Sequence, residues 1–435
     1  MQRLEIKLLG PVSECNIEIR DYLVFTGAQA SGKSTIAKSI FFFNNIKNLL
    51  IQLIRRMNLM KDEETIELSL GLRLKREIRS NFLQIFGTTL AMDPQMSMTY
   101  TYENGETITL YLTDNQYQKN FAEVKISQGM WRNILALERS VNSGLYSDPA
   151  EIKHVIESKV FCNDYEIVYI PAGRSLMTLL SSQINYFYST LDDVQKRSID
   201  YCTQNYLERI LRMKTFFTDG YTQLIHETKT TTDIKINLDA LGLAADLAFR
   251  ILKGEYKNIS GDERLQISDK RYVKINYASS GQQESVWILN VLFYYLLNKI
   301  KAHFIIEEPE SHLFPDAQKL IVEFITLVKN QNNMVTMTTH SPYVLGSINN
   351  LLYAEKISDE ENQSEVDRII PKILWLKYDS MGAYFLEHGR LTDMRNDEFM
   401  DIDHDVIDGA SQTINSAYEE MVEIDLKKGK AYDTQ

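Results

Sequence analysis

The chain opens on an alternation: in "RLEIKLL", positions 3 to 9, apolar Leu4, Ile6 and Leu8 are separated by polar residues, which predicts a strand. A short apolar run, "YLVFTG", predicts a second strand over Tyr22 to Thr26, and "STIAKSIFFFNNIKNLLIQLIRR" after it predicts a helix. "MTYTYENGETITLYL" at 98 to 112 reads as a hairpin turning at Asn104-Gly105. "YEIVYIPAGRS" at 165 to 175 reads as a strand stopping at Pro171. From Leu176 to about Thr230 apolar residues recur at spacings of three and four with little glycine or proline, which predicts an inserted helical lobe. Strands return near Tyr256 and run through the hairpin "RLQISDKRYVKINYA". In "NYASSGQQESVWILNVLFYYLLN", 276 to 298, a strand ends at Ser279-Ser280-Gly281 and a long helix starts at once. An apolar strand at Phe304 to Ile306 ends in Glu307, Glu308 and Pro309, and "NNMVTMTTHSP" adds a strand ending at His340. The expected organisation is an α/β head in two parts, 1–175 and 236–390, around a helical lobe at 176–235, with a tail at 391–435. In the tail, a solvated hairpin precedes a final helix in "VIDGASQTINSAYEEMVEI".

Composition narrows the setting. A chain of 435 residues with 44% hydrophobic and 24% charged content is an ordinary globular protein with two or three lobes. Cys15, Cys162 and Cys202 form no metal spacing and cannot all pair, as expected for a reducing, cytoplasmic setting. The longest apolar run, "VWILNVLFYYLL", has twelve residues and contains Asn290, too short to span a bilayer, and the N-terminus lacks a signal-peptide profile. A net charge of −12 argues against a generally basic nucleic-acid binder. Two local basic runs, "LRLKREIRSNF" at 72 to 82 and "ERILRMK" at 208 to 214, are either phosphate-facing patches or solvated faces.

The chemistry concentrates in four places. "GAQASGKST" comprises Gly27, Ala28, Gln29, Ala30, Ser31, Gly32, Lys33, Ser34 and Thr35, and fits G-x-x-x-x-G-K-[ST]. Two glycines let the backbone close on a phosphate at a helix N-terminus, Lys33 reaches the β- and γ-phosphates, and Ser34 ligates Mg²⁺. Adjacent Glu307 and Glu308 at a strand end suit a nucleotide hydrolase: one holds the Mg²⁺ water shell, the other polarises the attacking water. His340 stands at the C-terminal end of a strand, where α/β sheets place ligand contacts. Ser279, Ser280 and Gly281 open the long helix, either as a plain cap or as an anion-facing terminus.

In this order and spacing, with Gly281 followed by Glu308 and His340 at intervals of 27 and 32 residues, the chain resembles the ABC-type ATPase heads of the SMC, RecF and OLD families. "EEPESHLFPDAQ" looks particularly like the OLD and RecF branch, and "YIPAGRS" and the strands around "ILKGEY" are similar to it. The resemblance implies an ABC-type P-loop head with a central mixed sheet and an antiparallel β subdomain. It implies ATP and Mg²⁺ as cofactors, with Lys33 and Ser34 on phosphate and Mg²⁺, Glu307 as Walker B carboxylate, and Glu308 activating water. His340 becomes the γ-phosphate switch, and Ser280-Gly281 the core of a signature that acts on the nucleotide of a second subunit. Two departures stand out: the signature reads Ser-Ser-Gly-Gln-Gln, without its second glycine, and Glu307 replaces the commoner aspartate. Gln128 in "KISQGMW" is the candidate for the Q-loop.

The resemblance leaves alternatives. The first is an ATPase or sensor subunit of an OLD-like, bacterial anti-phage complex, whose ATP-sandwiched homodimer or higher oligomer controls a separate nuclease or toxin. The second is a RecF/SMC-like repair ATPase that binds DNA directly. A fused TOPRIM nuclease is rejected, because the gap from Glu387 in "AYFLEHG" to Asp401 in "MDIDHD" lacks room for a βα unit of about 30 residues. The helical block shows no sustained heptads, so a long coiled coil is not expected.

Overall fold

The computed structural model describes residues 1–59, 68–114, 119–146, 148–175, 178, 200–231, 237–403, 415–416, 418–422 and 424. Strands β1 (Arg3–Leu9) and β2 (Val12–Glu18) pair antiparallel, and β3 (Tyr22–Gly27) leads through the P-loop into helix α1 (Lys33–Leu59). A wing follows: α2 (Leu70–Phe86), strands β4 (Ser97–Thr101), β5 (Thr107–Thr113) and β6 (Phe121–Ile126), then α3 (Gln128–Asn142) and α4 (Pro149–Val155). After β7 (Glu166–Ile170), the described residues hold α5 (Tyr201–Met213), α6 (Tyr221–Thr231) and α7 (Leu238–Leu252). A separate small sheet is made of β8 (Glu255–Ile259), β9 (Asp262–Ser268) and β10 (Arg271–Lys274). The chain then alternates through α8 (Ser280–Asn298), β11 (Ala302–Glu307), α9 (Pro315–Lys329), β12 (Met334–Thr338) and α10 (Pro342–Ile357). A short α11 (Gln363–Ile369) precedes the hairpin β13 (Met381–Glu387) and β14 (Arg390–Asp393).

Eleven of the described strands form one mixed sheet, in the order β6-β5-β4-β1-β2-β14-β13-β3-β12-β11-β7. Its half from β13 to β7 is parallel, whereas β2, β1, β4, β5 and β6 are antiparallel neighbours. The burial patterns follow from that division. Strands β11 and β12 are buried at every position, because helices cover both faces of a parallel sheet; β4 and β5 bury alternate residues. Period-two geometry also sorts the parallel strands between two hydrophobic clusters. Tyr22, Val24, Val168, Ile170, Phe304 and Ile306 face one cluster, with Trp287 and Phe293 of α8. Leu23, Phe25, Ile167, Tyr169 and Ile305 face the other, with Ile36, Ile40 and Phe41 of α1.

The expected α/β head with a mixed sheet and an antiparallel β subdomain is present. Of the helical lobe expected at 176–235, residues 176–177, 179–199 and 232–235 lie outside the described residues. The described part packs Tyr206, Ile210 and Phe217 into the same cluster as Trp287. The final helix expected within 406–424 falls mostly outside the described residues; 415–416, 418–422 and 424 are helical. The hairpin expected near Glu387 exists, but it is not a solvated appendage. Strand β13 runs parallel to β3 in the middle of the sheet, and only its last side chain, Glu387, points to solvent.

Candidate active site

Three strand ends bring the predicted residues together. β12 lies between β3 and β11, pairing Thr338 with both Phe25 and Glu307, so the chain leaves all three strands at one level. The P-loop, the two acids and His340 therefore share the C-terminal edge of the parallel strands, the usual ligand edge of an α/β sheet.

The P-loop glycines have identifiable reasons. Gly27 has φ 139°, and a Cβ there would collide with the Leu386 carbonyl of β13. Gly32 has φ 112°, and a Cβ would lie 2.7 Å from Val12 Cγ2. Both positions require a residue without a side chain. Lys33 begins α1 and is buried; its Nζ donates to the carbonyls of Gly27 (3.0 Å) and Ala28 (2.8 Å), in the mouth of the loop. Burial pushes its pKa down, while Glu308 and Glu310 pull it up, so both acids act electrostatically on this lysine. Ser34 is exposed in the first turn of α1, where free N–H groups and the helix dipole favour an anion.

Glu307 is buried at the end of β11; its Oε2 accepts from Ala172 N at 3.2 Å, and its Oε1 accepts no hydrogen bond. The neighbouring Tyr169 phenol is pushed well up in pKa by burial and then by this carboxylate. An orphaned carboxylate oxygen beside a P-loop fits a hydrated cation. Among the described residues no three His, Cys, Asp or Glu side chains cluster as a metal site. Mg²⁺ held by phosphates and water asks for only one or two protein oxygens.

Glu308 departs from strand geometry. Its φ is 43°, in the left-handed region that a glutamate rarely occupies. Its N–H donates to Thr338 O at 2.9 Å, and its part-exposed carboxylate lies 3.6 Å from His340 Nε2 and 3.3 Å from Ser311 Oγ. Thus the turn after β11 swings Glu308 away from Glu307 and toward His340.

Ser279 closes a capping box with Gln282, so part of the Ser-Ser-Gly pattern is a helix cap within the chain. Ser280 follows it, exposed at the first position of α8. Gly281 is buried instead: a Cβ would lie 2.6 Å from the His312 carbonyl oxygen. The glycine therefore has a packing reason inside this chain, in addition to any role toward a second one.

Two residues escaped the sequence reading. Glu310 is buried; its Oε1 accepts from Thr339 Oγ1 (2.7 Å) and His340 N (2.9 Å), tying the turn after β11 to the turn after β12. Burial raises its pKa. Arg174, in the quoted "YIPAGRS", is completely buried against both acids' backbone. Gln128 is not brought to the site: it starts α3 just after β6, the strand at the far edge of the sheet. Several cations of the two basic runs are paired. Lys75 and Arg79 each lie 3.8 Å from Glu123, while Arg209 meets Glu166 and Lys214 meets Glu263, each at 2.7 Å.

Fold and site define a P-loop nucleotide-binding protein. Residues 1–345 match the family model described as AAA ATPase domain, and the chain belongs to that family. None of the curated proteins matches it. Among solved structures it is similar to an SMC head bound to the C-winged helix domain of ScpA (12% identity, TM-score 0.42, covering 92% of this chain and 98% of that one). It is also similar to an SMC head with an extended coiled coil bound to the C-terminal domain of ScpA derived from Pyrococcus furiosus (12%, TM-score 0.37, covering 90% and 96%). A third is the SMC head domain from Thermotoga maritima (10%, TM-score 0.36, covering 90% and 97%). No described helix is long and apolar enough to cross a membrane.

Proposed function

We propose that this chain binds ATP with Mg²⁺ through Gly27 to Thr35 and hydrolyses it within an ATP-sandwiched dimer. The observation that carries the reading is the meeting, at one sheet edge, of the P-loop lysine with Glu307, Glu308 and His340. Ser34 and Glu307 would hold the metal, which supplies charge neutralisation of the phosphates. Lys33 would exchange its bonds to the Gly27 and Ala28 carbonyls for phosphate oxygens, keeping charge-assisted contacts. Glu308 would accept the proton of the attacking water, and His340, 3.6 Å away, would orient that carboxylate and sense the γ-phosphate. Exposed Ser280, at the positive end of a 19-residue helix, would face the nucleotide of the second subunit. A two-fold axis then gives two equivalent sites.

The OLD-like "EPESHL" element supports the finer reading of an ATPase subunit that controls a separate nuclease or toxin. The direct DNA-binding alternative has less support, since Arg209, Arg212 and Lys214 of one basic run all lie within 3.9 Å of carboxylates, and Lys75 and Arg79 of the other share Glu123. The test is phosphate release from ATP by the parent and by Lys33→Ala. Turnover in the parent that disappears in the variant is expected; equal turnover in both would place the activity elsewhere.

A further inference from the structure

Arg174 lies past the end of β7, and none of its side chain reaches solvent. Its Nη1 donates to the carbonyls of Pro171 and Glu307, each at 2.6 Å, and Nη2 to the carbonyl of Glu308 at 2.8 Å. Its Nε donates to the Glu284 carbonyl at 3.0 Å and lies 3.3 Å from the Glu284 carboxylate. Glu284 answers with both oxygens: Oε2 accepts from Arg174 N (2.8 Å) and Oε1 from Ser175 N (2.9 Å). Thr178 Oγ1 adds a bond to the Gln283 carbonyl at 2.8 Å.

Glu284 is one helical turn beyond Ser280. A single guanidinium therefore grips the backbone of both acids and the first turns of the helix that Ser280 opens. The grip falls where the backbone is strained. Glu308 keeps its φ of 43° only because its surroundings over-determine it, with Thr338 holding its N–H and Arg174 its carbonyl. Apolar side chains could glue α8 to the sheet without the desolvation cost of a buried ion pair. The planar guanidinium of arginine does what they cannot: it fixes four carbonyls and a carboxylate in one geometry.

We propose that Arg174 is a positioning residue that couples the start of α8 to the backbone of Glu308, and so links the two nucleotide sites of the dimer. This rests on the reading above, in which the start of α8 meets the partner's nucleotide while Glu308 serves the nucleotide on its own P-loop. When the partner's nucleotide engages the start of α8, Glu284 and Arg174 carry the displacement to the carbonyls of Glu307 and Glu308. Hydrolysis should accordingly depend cooperatively on ATP.

The experiment measures steady-state hydrolysis against ATP concentration, and nucleotide Kd by fluorescence titration, for the parent and for Arg174→Lys. Lysine keeps the charge but not the fork. The variant should lose about 10- to 100-fold in kcat, keep its nucleotide Kd, and change from sigmoidal to hyperbolic ATP dependence. Where Arg174→Lys does not fold, judged by its circular dichroism and melting, Glu284→Gln carries the same readings with the side-chain volume unchanged. A folded variant with parental kcat and sigmoidicity overturns the coupling, as does a parent with hyperbolic ATP dependence. Kd weakening in step with kcat also overturns it, because it indicates a structural role alone. A parent that turns over no ATP instead refutes the ATPase reading itself.

Discussion

Replacing Gly281 with alanine separates the two reasons for a glycine at the start of α8. The added Cβ would sit 2.6 Å from the His312 carbonyl oxygen, 3.3 Å from its carbon and 3.2 Å from Leu313 Cδ2. The leucine methyl can swing aside, but the carbonyl cannot move freely. His312 already has φ 59°, and the turn is pinned by Leu313 N to Glu310 O (3.0 Å) and Ser311 N to Glu308 O (3.2 Å). Restoring ordinary contact needs a backbone shift of about 0.8 Å, and overpacking of this kind costs about 1–3 kcal/mol. Gly281→Ala should therefore lose about 2 kcal/mol of unfolding free energy in a urea titration without nucleotide. Ser280→Arg, at the exposed neighbouring position, should stay within about 0.5 kcal/mol of the parent while losing ATP-dependent association. A Gly281→Ala variant as stable as the parent would refute the packing of α8 against the turn after β11.

Lys33→Ala should weaken ATP binding by at least about 100-fold, the loss of roughly two charge-assisted bonds, read by fluorescence titration of a nucleotide analogue. Glu310→Gln should lower kcat about tenfold at unchanged Kd, because the carboxylate that holds Thr339 and the His340 N–H is replaced by an amide. Acid stability should carry the mark of His303, which is buried beside Thr336 with its pKa pushed down from 6.5 to about 4. The unfolded chain takes up that proton below pH 6.5 and the folded chain does not until about pH 4, so stability present above pH 6.5 is lost as the pH falls through this window. The loss from pH 7 to 5 is about 2 kcal/mol for this residue, and denaturation of His303→Gln at both pH values should lack it.

Much of the head was legible because local signals agree with the final structure. The Asn104-Gly105 turn joins β4 to β5 with Gly105 at φ 79°, and Pro171 ends β7 as its missing N–H requires. The P-loop after β3 and the acid pair at the end of β11 each announce themselves within a single strand–loop unit. What stayed hidden depends on partners distant in sequence. Arg174 and Glu284 are 110 positions apart, and nothing local marks an arginine as buried. The strand "MGAYFLE" has ordinary apolar character, and its place beside β3 is set by pairings as distant in sequence as Met381 with Tyr22, 359 positions apart. Gly281 reads in sequence as part of a cap or of an anion-facing terminus, and its packing role stays hidden because the turn that crowds it lies about 30 residues downstream.

The central claim, two copies closing on ATP with Glu308 as the acid that lets them reopen, is tested most directly by light scattering of Glu308→Gln with and without saturating Mg²⁺-ATP. The amide cannot take the proton of the attacking water, so nucleotide should bind, persist and double the scattering mass. Ser280→Arg in the same background should bind ATP and stay at the mass of one protomer. A Glu308→Gln protein that demonstrably binds ATP yet keeps the mass of a single protomer would contradict the account.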